Sequence, residues 1–339
     1  MTDNIYNYSE EDLKDIIKAW GLKPYVASQI FRWLYKGNVS SFEEMSNISK
    51  KNQELLSSKF SLKLLDILVK EEDDLVKKYL LKLDDLNTIE AVLMEHDYGL
   101  SLCVSSQIGC NMGCKFCQSG TIKKVRNLRT DEMVRQILTV QSDIKKIISH
   151  VVIMGIGEPL DNLENILKFI DIINNPLGLE IGIRHITLST CGLVPKIKEI
   201  TDRGYRFNLA VSLHSAIQKK RELLMPIAKL YDLEKLKKVL IYYEDKLNKR
   251  ITFEYIMLDI NDKEEDAIRL VNYVKNLKCY INLIPYNETN LGYKRSSNLQ
   301  MMKFYDIIKK HNIDVTIRRE FGGNISGACG QLKSGRMNK

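Results

Sequence analysis

Cys110, Cys114 and Cys117 form a C-x3-C-x2-C triplet with Phe116 just before the last cysteine, and this constrains the chain more than any other feature. Three thiolates in this pattern can hold three irons of a 4Fe-4S cube and leave the fourth iron open to an outside ligand. Iron-sulfur electron carriers usually supply four cysteines, and the bacterial ferredoxin run ends in C-x3-C-P, which this segment does not follow. An open iron points to chemistry rather than electron storage. Zinc is the alternative, with Cys103 as fourth ligand from the apolar stretch Leu100 to Ser105. Cys114 and Cys117 alone could imitate a thioredoxin pair, but that motif has no place for Cys110.

The 339 residues suffice for a large α/β domain with an appendage. A formal charge of +8 is compatible with a polyanionic partner without requiring one. Seven cysteines, an odd number, and an opening Met1-Thr2-Asp3-Asn4 without a basic and apolar leader argue for the reducing cytoplasm and against a disulfide framework. No apolar run approaches the roughly 20 residues of a membrane span, so no membrane partner is expected.

Residues 1–62 read as a small helical domain, with Ser9, Glu10 and Glu11 at a helix start and Ile30, Phe31 and Leu34 on one face of a second helix. Residues 63–98 turn to alternation and predict a pair of strands, a β-hairpin extension. From residue 99 to about 320, strands at Leu100–Ser105, Ser149–Met154, His185–Ser189, Asn208–Leu213, Thr252–Met257 and Tyr280–Ile284 alternate with helices, and a seventh follows at Asp314–Arg318. Repeated βα units imply a parallel sheet, here a partial (β/α)6 barrel, with the doubly wound sheet as the alternative. Residues 321–339 form a terminal segment carrying Cys329.

Polar and glycine-rich motifs fall at the carboxyl ends of these strands, where a barrel keeps its active site. They are the cysteine loop, Gly155-Ile156-Gly157-Glu158-Pro159, Ser189-Thr190, Ser212-Leu213-His214 and Pro285-Tyr286-Asn287. A lone G-x-G is a weak dinucleotide signal, and Pro159 would sit at the helix start it requires. Glu158 reads better as a carboxylate that accepts hydrogen bonds from an amine. Cys329 lies in Gly327-Ala328-Cys329-Gly330, where small neighbours allow a thiol close approach, although it can equally be a buried thiol. Cys191 and Cys279 read as packing residues.

With these motifs in this order, the chain resembles the radical S-adenosylmethionine superfamily, and within it the RNA adenine methyltransferases of the RlmN/Cfr type. The resemblance runs through Cys103 to Cys110, Cys114 to Cys117, Arg126 to Leu128, Met154 to Leu160, Thr187 to Thr190, Ser212 to His214 and Ala328 to Leu332, nearly the whole chain. It implies a 4Fe-4S cluster on Cys110, Cys114 and Cys117, and S-adenosylmethionine bound by Gly157, Glu158, Ser189, Ser212, Leu213, His214 and Asn287. It implies Cys329 as methyl carrier, Cys103 as the resolving thiol that forms a transient disulfide with it, and Glu90 as proton acceptor. In such enzymes two S-adenosylmethionine molecules serve each turnover, one methylating the carrier and one yielding a 5′-deoxyadenosyl radical. The helical module then resembles an RNA-binding accessory domain.

The implied reaction is methylation of carbon 2 of an adenosine in 23S rRNA at the peptidyl transferase centre, and of the adenosine 3′ of the anticodon in tRNA. Glu158-Pro159 favours carbon 2 over the carbon-8 methylation of antibiotic-resistance relatives, which often carry alanine after that glutamate. A non-methylating iron-sulfur RNA-binding protein would be expected to lack Cys103, Cys329 or Glu158, and all three are present. A flavodoxin-type electron donor and a monomeric state complete the expectation. The sequence departs from the family in the loop Gly322 to Gly327 and in Gln118 to Ile122 after the triplet.

Overall fold

The computed structural model describes residues 2–37, 39–287, 289–318, 325 and 330–332, and the backbone of 335–336. Three helices open the chain: α1 (Glu10–Ala19), α2 (Tyr25–Lys36) and α3 (Lys50–Lys59). α1 begins where its cap chemistry dictates, since Ser9 Oγ accepts from the Asp12 amide and the Asp12 carboxylate accepts from the Ser9 amide. The parallel pairing of Asp3–Asn4 with Phe60–Ser61 draws the two ends of this module together.

An antiparallel extension follows, made of β1 (Asp66–Asp73), β2 (Val76–Lys82) and β3 (Asn87–His96). β3 pairs with β4 (Gly99–Cys103), so the extension joins the main sheet. The sequence suggested two strands here and the structure has three. β1 escaped notice because it is an edge strand whose second half, Lys70 to Asp73, is wholly charged, a pattern that suits an unpaired edge and hides the alternation.

β5 (His150–Ile153), β6 (Ile186–Thr190), β7 (Asn208–Ser212), β8 (Ile251–Met257), β9 (Cys279–Pro285) and β10 (Asp314–Ile317) then add to β4 one after another. Every one of these pairings is parallel. The connecting helices are α4 (Thr130–Ile144), α5 (Leu163–Asn174), α6 (Val194–Asp202), α7 (Gln218–Leu224), α8 (Leu233–Leu247), α9 (Glu264–Val274) and α10 (Asn298–Lys310). Spatial order follows chain order with no reversal, so the crevice of a doubly wound sheet is missing from this topology. Among the described residues the sheet is open and singly wound. No described helix is long and apolar enough to cross a membrane.

Alternation along the parallel strands separates two faces. Val151, Leu188, Val211, Phe253 and Leu283 point to the helices and share one apolar cluster with Met133, Ile166, Leu236 and Phe304. Ile5, Phe31 and Leu56 of the helical module belong to the same cluster, so the module shares the core of the sheet. The inner face carries Val152, Ser189, Ser212, Glu254 and Asn282 instead.

Arg135 in α4, 0% exposed, bolts this helix to the extension. Its guanidinium donates to Asp84 at 2.8 Å, Asp131 at 3.2 Å and the Leu64 carbonyl at 3.2 Å. Arg135→Met leaves the buried Asp131 carboxylate without this partner. We expect urea denaturation to show a loss of about 3 kcal/mol, toward the lower end for a broken buried pair because Asp84 is partly exposed, with Arg135→Lys in between.

Candidate active site

The inner face and the strand ends above it enclose a cleft of about 920 Å³, counting its solvent-open mouth. Cys110, Cys114 and Cys117 line it together with Gly157, Glu158, Ser189, Ser212 and His214. Eight residues singled out from sequence thus share one cavity.

Two loops form its roof by stitching to each other. The Gly155 amide donates to the Val104 carbonyl at 3.0 Å, the Ser106 amide to the Ile156 carbonyl at 2.9 Å, and the Ile156 amide to Ser105 Oγ at 3.0 Å. Gln107 Oε1 accepts from the Glu158 amide at 2.9 Å. Gly157, at φ +110°, lies so close to Gln107 that a Cβ would come within 2.6 Å of it, so no other residue fits. Gly109 is held in the same way: φ is +72° and a Cβ would meet the Lys123 carbonyl oxygen at 2.4 Å.

The Glu158 carboxylate is buried and braced from three sides. Oε1 accepts from the Leu160 amide at 3.1 Å and the Thr190 hydroxyl at 2.7 Å, and Oε2 accepts from the Cys191 amide at 2.8 Å. The Cys191 thiol also donates to this carboxylate. Burial pushes the Glu158 pKa up, and the Cys191 amide and thiol, the Thr190 hydroxyl and the Leu160 amide oppose that rise. Arg221, fully buried, donates to the Cys191 carbonyl at 2.8 Å, which anchors the same peptide from its other end.

His214 stands at φ +58°, a conformation unusual for histidine. Its Nδ1 accepts from the Ile256 amide at 3.1 Å and its carbonyl accepts from Asn261 Nδ2 at 2.7 Å, which hold the turn in place. Phe116 meets the imidazole edge-on at 4.7 Å. Burial, and then Arg221, lower the His214 pKa to about 3.

Phe116, Leu224, Met225, Ile256, Leu258 and Tyr286 form an apolar cluster against which the half-buried Cys114 and Cys117 pack. Burial pushes the Cys110 thiol up to about 12 and raises Cys114 well above the usual thiol range. Thiols so placed become thiolates only when a cation joins them, since metal coordination deprotonates a thiol outright. Among the described residues no three His, Cys, Asp or Glu groups gather around a point suited to one metal ion. Cys110, Cys114 and Cys117 all line the one cavity. The zinc alternative also loses its fourth ligand, because Cys103 packs in a different cluster with Val76, Val92, Met94, Ile156 and Leu332.

The remaining residues singled out from sequence lie around this cavity. The Leu213 side chain points into the main core, and its amide donates to the Glu254 carbonyl at 3.0 Å. Asn287 comes two residues after β9 and is not among the described lining residues. Glu90 lies on β3 with its side chain largely covered and Lys78 Nζ 3.7 Å away, not on a wet hairpin face. Register places it two residues from Val92, the partner of Cys103, so Glu90 and Cys103 share a sheet face. Cys329 and most of the loop Gly322 to Gly327 lie outside the described residues. Gly330 lines the cavity, and its carbonyl accepts from the Gln118 amide at 2.8 Å.

Sequence reasoning missed Glu254, Arg318 and Cys191, which also line the cavity. Glu254 is a lone carboxylate in the apolar run Phe253 to Met257, a signal that could have exposed it; Asn282 donates to it at 2.8 Å and burial raises its pKa. Cys191 packs as expected against the cysteine loop's apolar shell.

Protonation of His214 has a definite sign. The folded protein holds the ring neutral to about pH 3, whereas an unfolded histidine protonates near 6.5. The stability it contributes is therefore complete above pH 6.5 and lost as pH falls from there toward 3. Urea titrations of the cofactor-free protein between pH 7 and 5 are expected to show His214→Gln losing less stability per pH unit than the parent, by up to about 1.4 kcal/mol.

Known proteins sharpen the picture. Residues 104–271 match the family model described as Radical SAM superfamily, and residues 3–62 the one described as Ribosomal RNA large subunit methyltransferase N-terminal domain. A probable dual-specificity RNA methyltransferase RlmN of Enterococcus faecalis is 47% identical, over 99% of this chain and 98% of its own. Its Spiroplasma citri counterpart is 45% identical over 98% and 97%. The crystal structure of a radical SAM methyltransferase from Sphaerobacter thermophilus superposes with a TM-score of 0.92 at 32% identity, covering 97% of this chain and 99% of that one.

Proposed function

The chain belongs to the radical SAM superfamily and within it to the RlmN-type methyltransferases, and we propose that it methylates carbon 2 of an adenosine at the peptidyl transferase centre of 23S rRNA and of the adenosine 3′ of the anticodon in tRNA. The observation that carries this reading is the convergence of three half-buried thiols with Gly157, Glu158, Ser189, Ser212 and His214 on one cavity, in a chain whose relatives are named as dual-specificity RNA methyltransferases.

This family uses a 4Fe-4S cluster and S-adenosylmethionine, which together supply radical chemistry at a ring carbon that has no nucleophile to offer. Cys110, Cys114 and Cys117 would hold the cluster as thiolates inside their apolar shell. Glu158 fixes the glycine loop and lines the cavity where an amino group would meet a carboxylate. Ser189 and Ser212 present hydroxyls from neighbouring strands, and His214, neutral and pinned at Nδ1, directs Nε2 as a donor. Leu213 contributes through its backbone, and Asn287 closes the nucleoside side.

Cys329 is the methyl carrier. Its neighbour Gly330 on the cavity wall supports this role, and so does Leu332, which packs in the cluster that contains Cys103. Cys103 attacks the Cys329 sulfur, an S–S bond forms as the bond from that sulfur to the methylene carbon breaks, and that carbon takes up a proton to become the methyl group; Glu90 takes the proton from the ring, and the one electron left over would return to the cluster that Cys110, Cys114 and Cys117 would hold. The cytoplasm returns the disulfide to thiols, and the protein works as a monomer with a flavodoxin-type donor.

Reaction of the reconstituted protein with RNA deuterated at adenine carbon 2 or carbon 8 tests the proposal. Methylated product is expected to lose the carbon-2 label and keep the carbon-8 label, and mass spectrometry is expected to find a methyl group on Cys329 of anaerobically prepared protein. Loss of the carbon-8 label would establish the other regiochemistry. An unmodified Cys329, or full turnover by Cys329→Ala, would remove the carrier.

A further inference from the structure

The amino ends of the parallel strands hold a second cluster of functional groups, away from the carboxyl-end roof. Tyr98, in the turn entering β4, is 65% exposed. Its ring stacks on His96 at 4.6 Å and meets His150 edge-on at 4.9 Å, and His150 stacks on His185 at 4.2 Å. Four flat rings thus run across the starts of β4, β5 and β6. They lie ring against ring, and among the described residues none joins a group suited to a metal ion.

Cations border this row. Arg184 and Arg206 are exposed at the starts of β6 and β7, and Lys249 is half-buried before β8. Among the described residues no carboxylate lies within ion-pair distance of these three. The Lys249 amine donates only to Asn208 Oδ1 at 3.3 Å. Burial lowers its pKa, and the charges of Arg206 and Arg184 lower it further, so the three cations repel one another. The outer helices differ: Lys198 pairs with Asp202 at 2.6 Å, Lys238 with Glu234 at 2.8 Å, and Arg203 with Glu164 at 2.6 Å. At the next strand Arg250 lies over Tyr280 at 5.1 Å and reaches Asp314 at 3.4 Å.

An open aromatic face beside uncompensated cations is what unpaired nucleic acid binds, with bases on rings and phosphates on basic side chains.

We propose that this rim docks the substrate RNA, with an unpaired base on Tyr98 and backbone phosphates on Arg184, Arg206 and Lys249. It rests on the RNA-substrate reading above and adds where the strand lies.

Anisotropy of a labelled 23S rRNA fragment bound to the cluster-loaded protein, measured across salt concentrations, tests it. Arg184→Glu/Arg206→Glu is expected to weaken binding at least about tenfold and to flatten the slope of log K against log salt by about 1.5. Tyr98→Ala is expected to weaken it about tenfold while leaving the slope intact. Lys235→Glu/Lys238→Glu, the same charge change on the outer face of α8, is expected to stay within about threefold of the parent. Iron content and S-adenosylmethionine affinity, measured alongside, should match the parent in every variant. Equal weakening by the rim and α8 pairs, or an unchanged slope in the rim pair, would overturn the surface. A parent protein that neither bound nor methylated RNA would overturn the function beneath it, and the surface with it.

Discussion

The site depends on one buried carboxylate. Glu158 draws together the end of β6, through Thr190 and the Cys191 amide, and its own loop, through the Leu160 amide. A carboxylate is costly to bury, and here the Thr190 hydroxyl, the Cys191 amide and thiol and the Leu160 amide oppose that cost. The glycine loop, the β6 end and the cysteine loop are held in one arrangement as a result. The walls of the cleft are set before any ligand enters, which reduces the ordering that binding must impose.

A division of labour between the two sheet faces makes such a site possible. On the helix-facing side Val151, Leu188, Val211, Phe253 and Leu283 bind the strands to their helices with apolar burial alone. That leaves the inner side to carry Ser189, Ser212, Glu254 and Asn282 without weakening the core. Because every pairing from β4 to β10 is parallel, all the carboxyl ends come to one rim, and short segments far apart in sequence become neighbours.

Much of this was legible in the chain itself. The parallel strands announced themselves through apolar runs of about five residues, and α8, with Asp232 capping it and a left-handed Asn248 ending it, fell where its signals lay. The charged edge strand β1 did not, since its alternation is overwritten by Lys70 to Asp73. Two short helices also went unread: α6 opens with Val194-Pro195, and α7 has only seven residues. In the site, Cys110, Cys114, Cys117 and Glu158 were visible because spacing or a flanking proline marks them. Glu254 and Arg318 were not, because their roles arise only when β8 and β10 turn the same face inward. Leu213 shows the converse, a residue marked by its motif whose side chain serves the core.

The chain's far end has a consequence for the cavity wall. The Gly330 carbonyl is held by Gln118, the Leu332 carbonyl by the Ser119 hydroxyl at 2.8 Å, and Gly335 pairs with Thr88 on β3. Gln118 and Ser119 directly follow Cys117, so the residues that hold Gly330 and Leu332 belong to the turn that carries this cysteine, and a shift of that turn carries this stretch of the cavity wall with it.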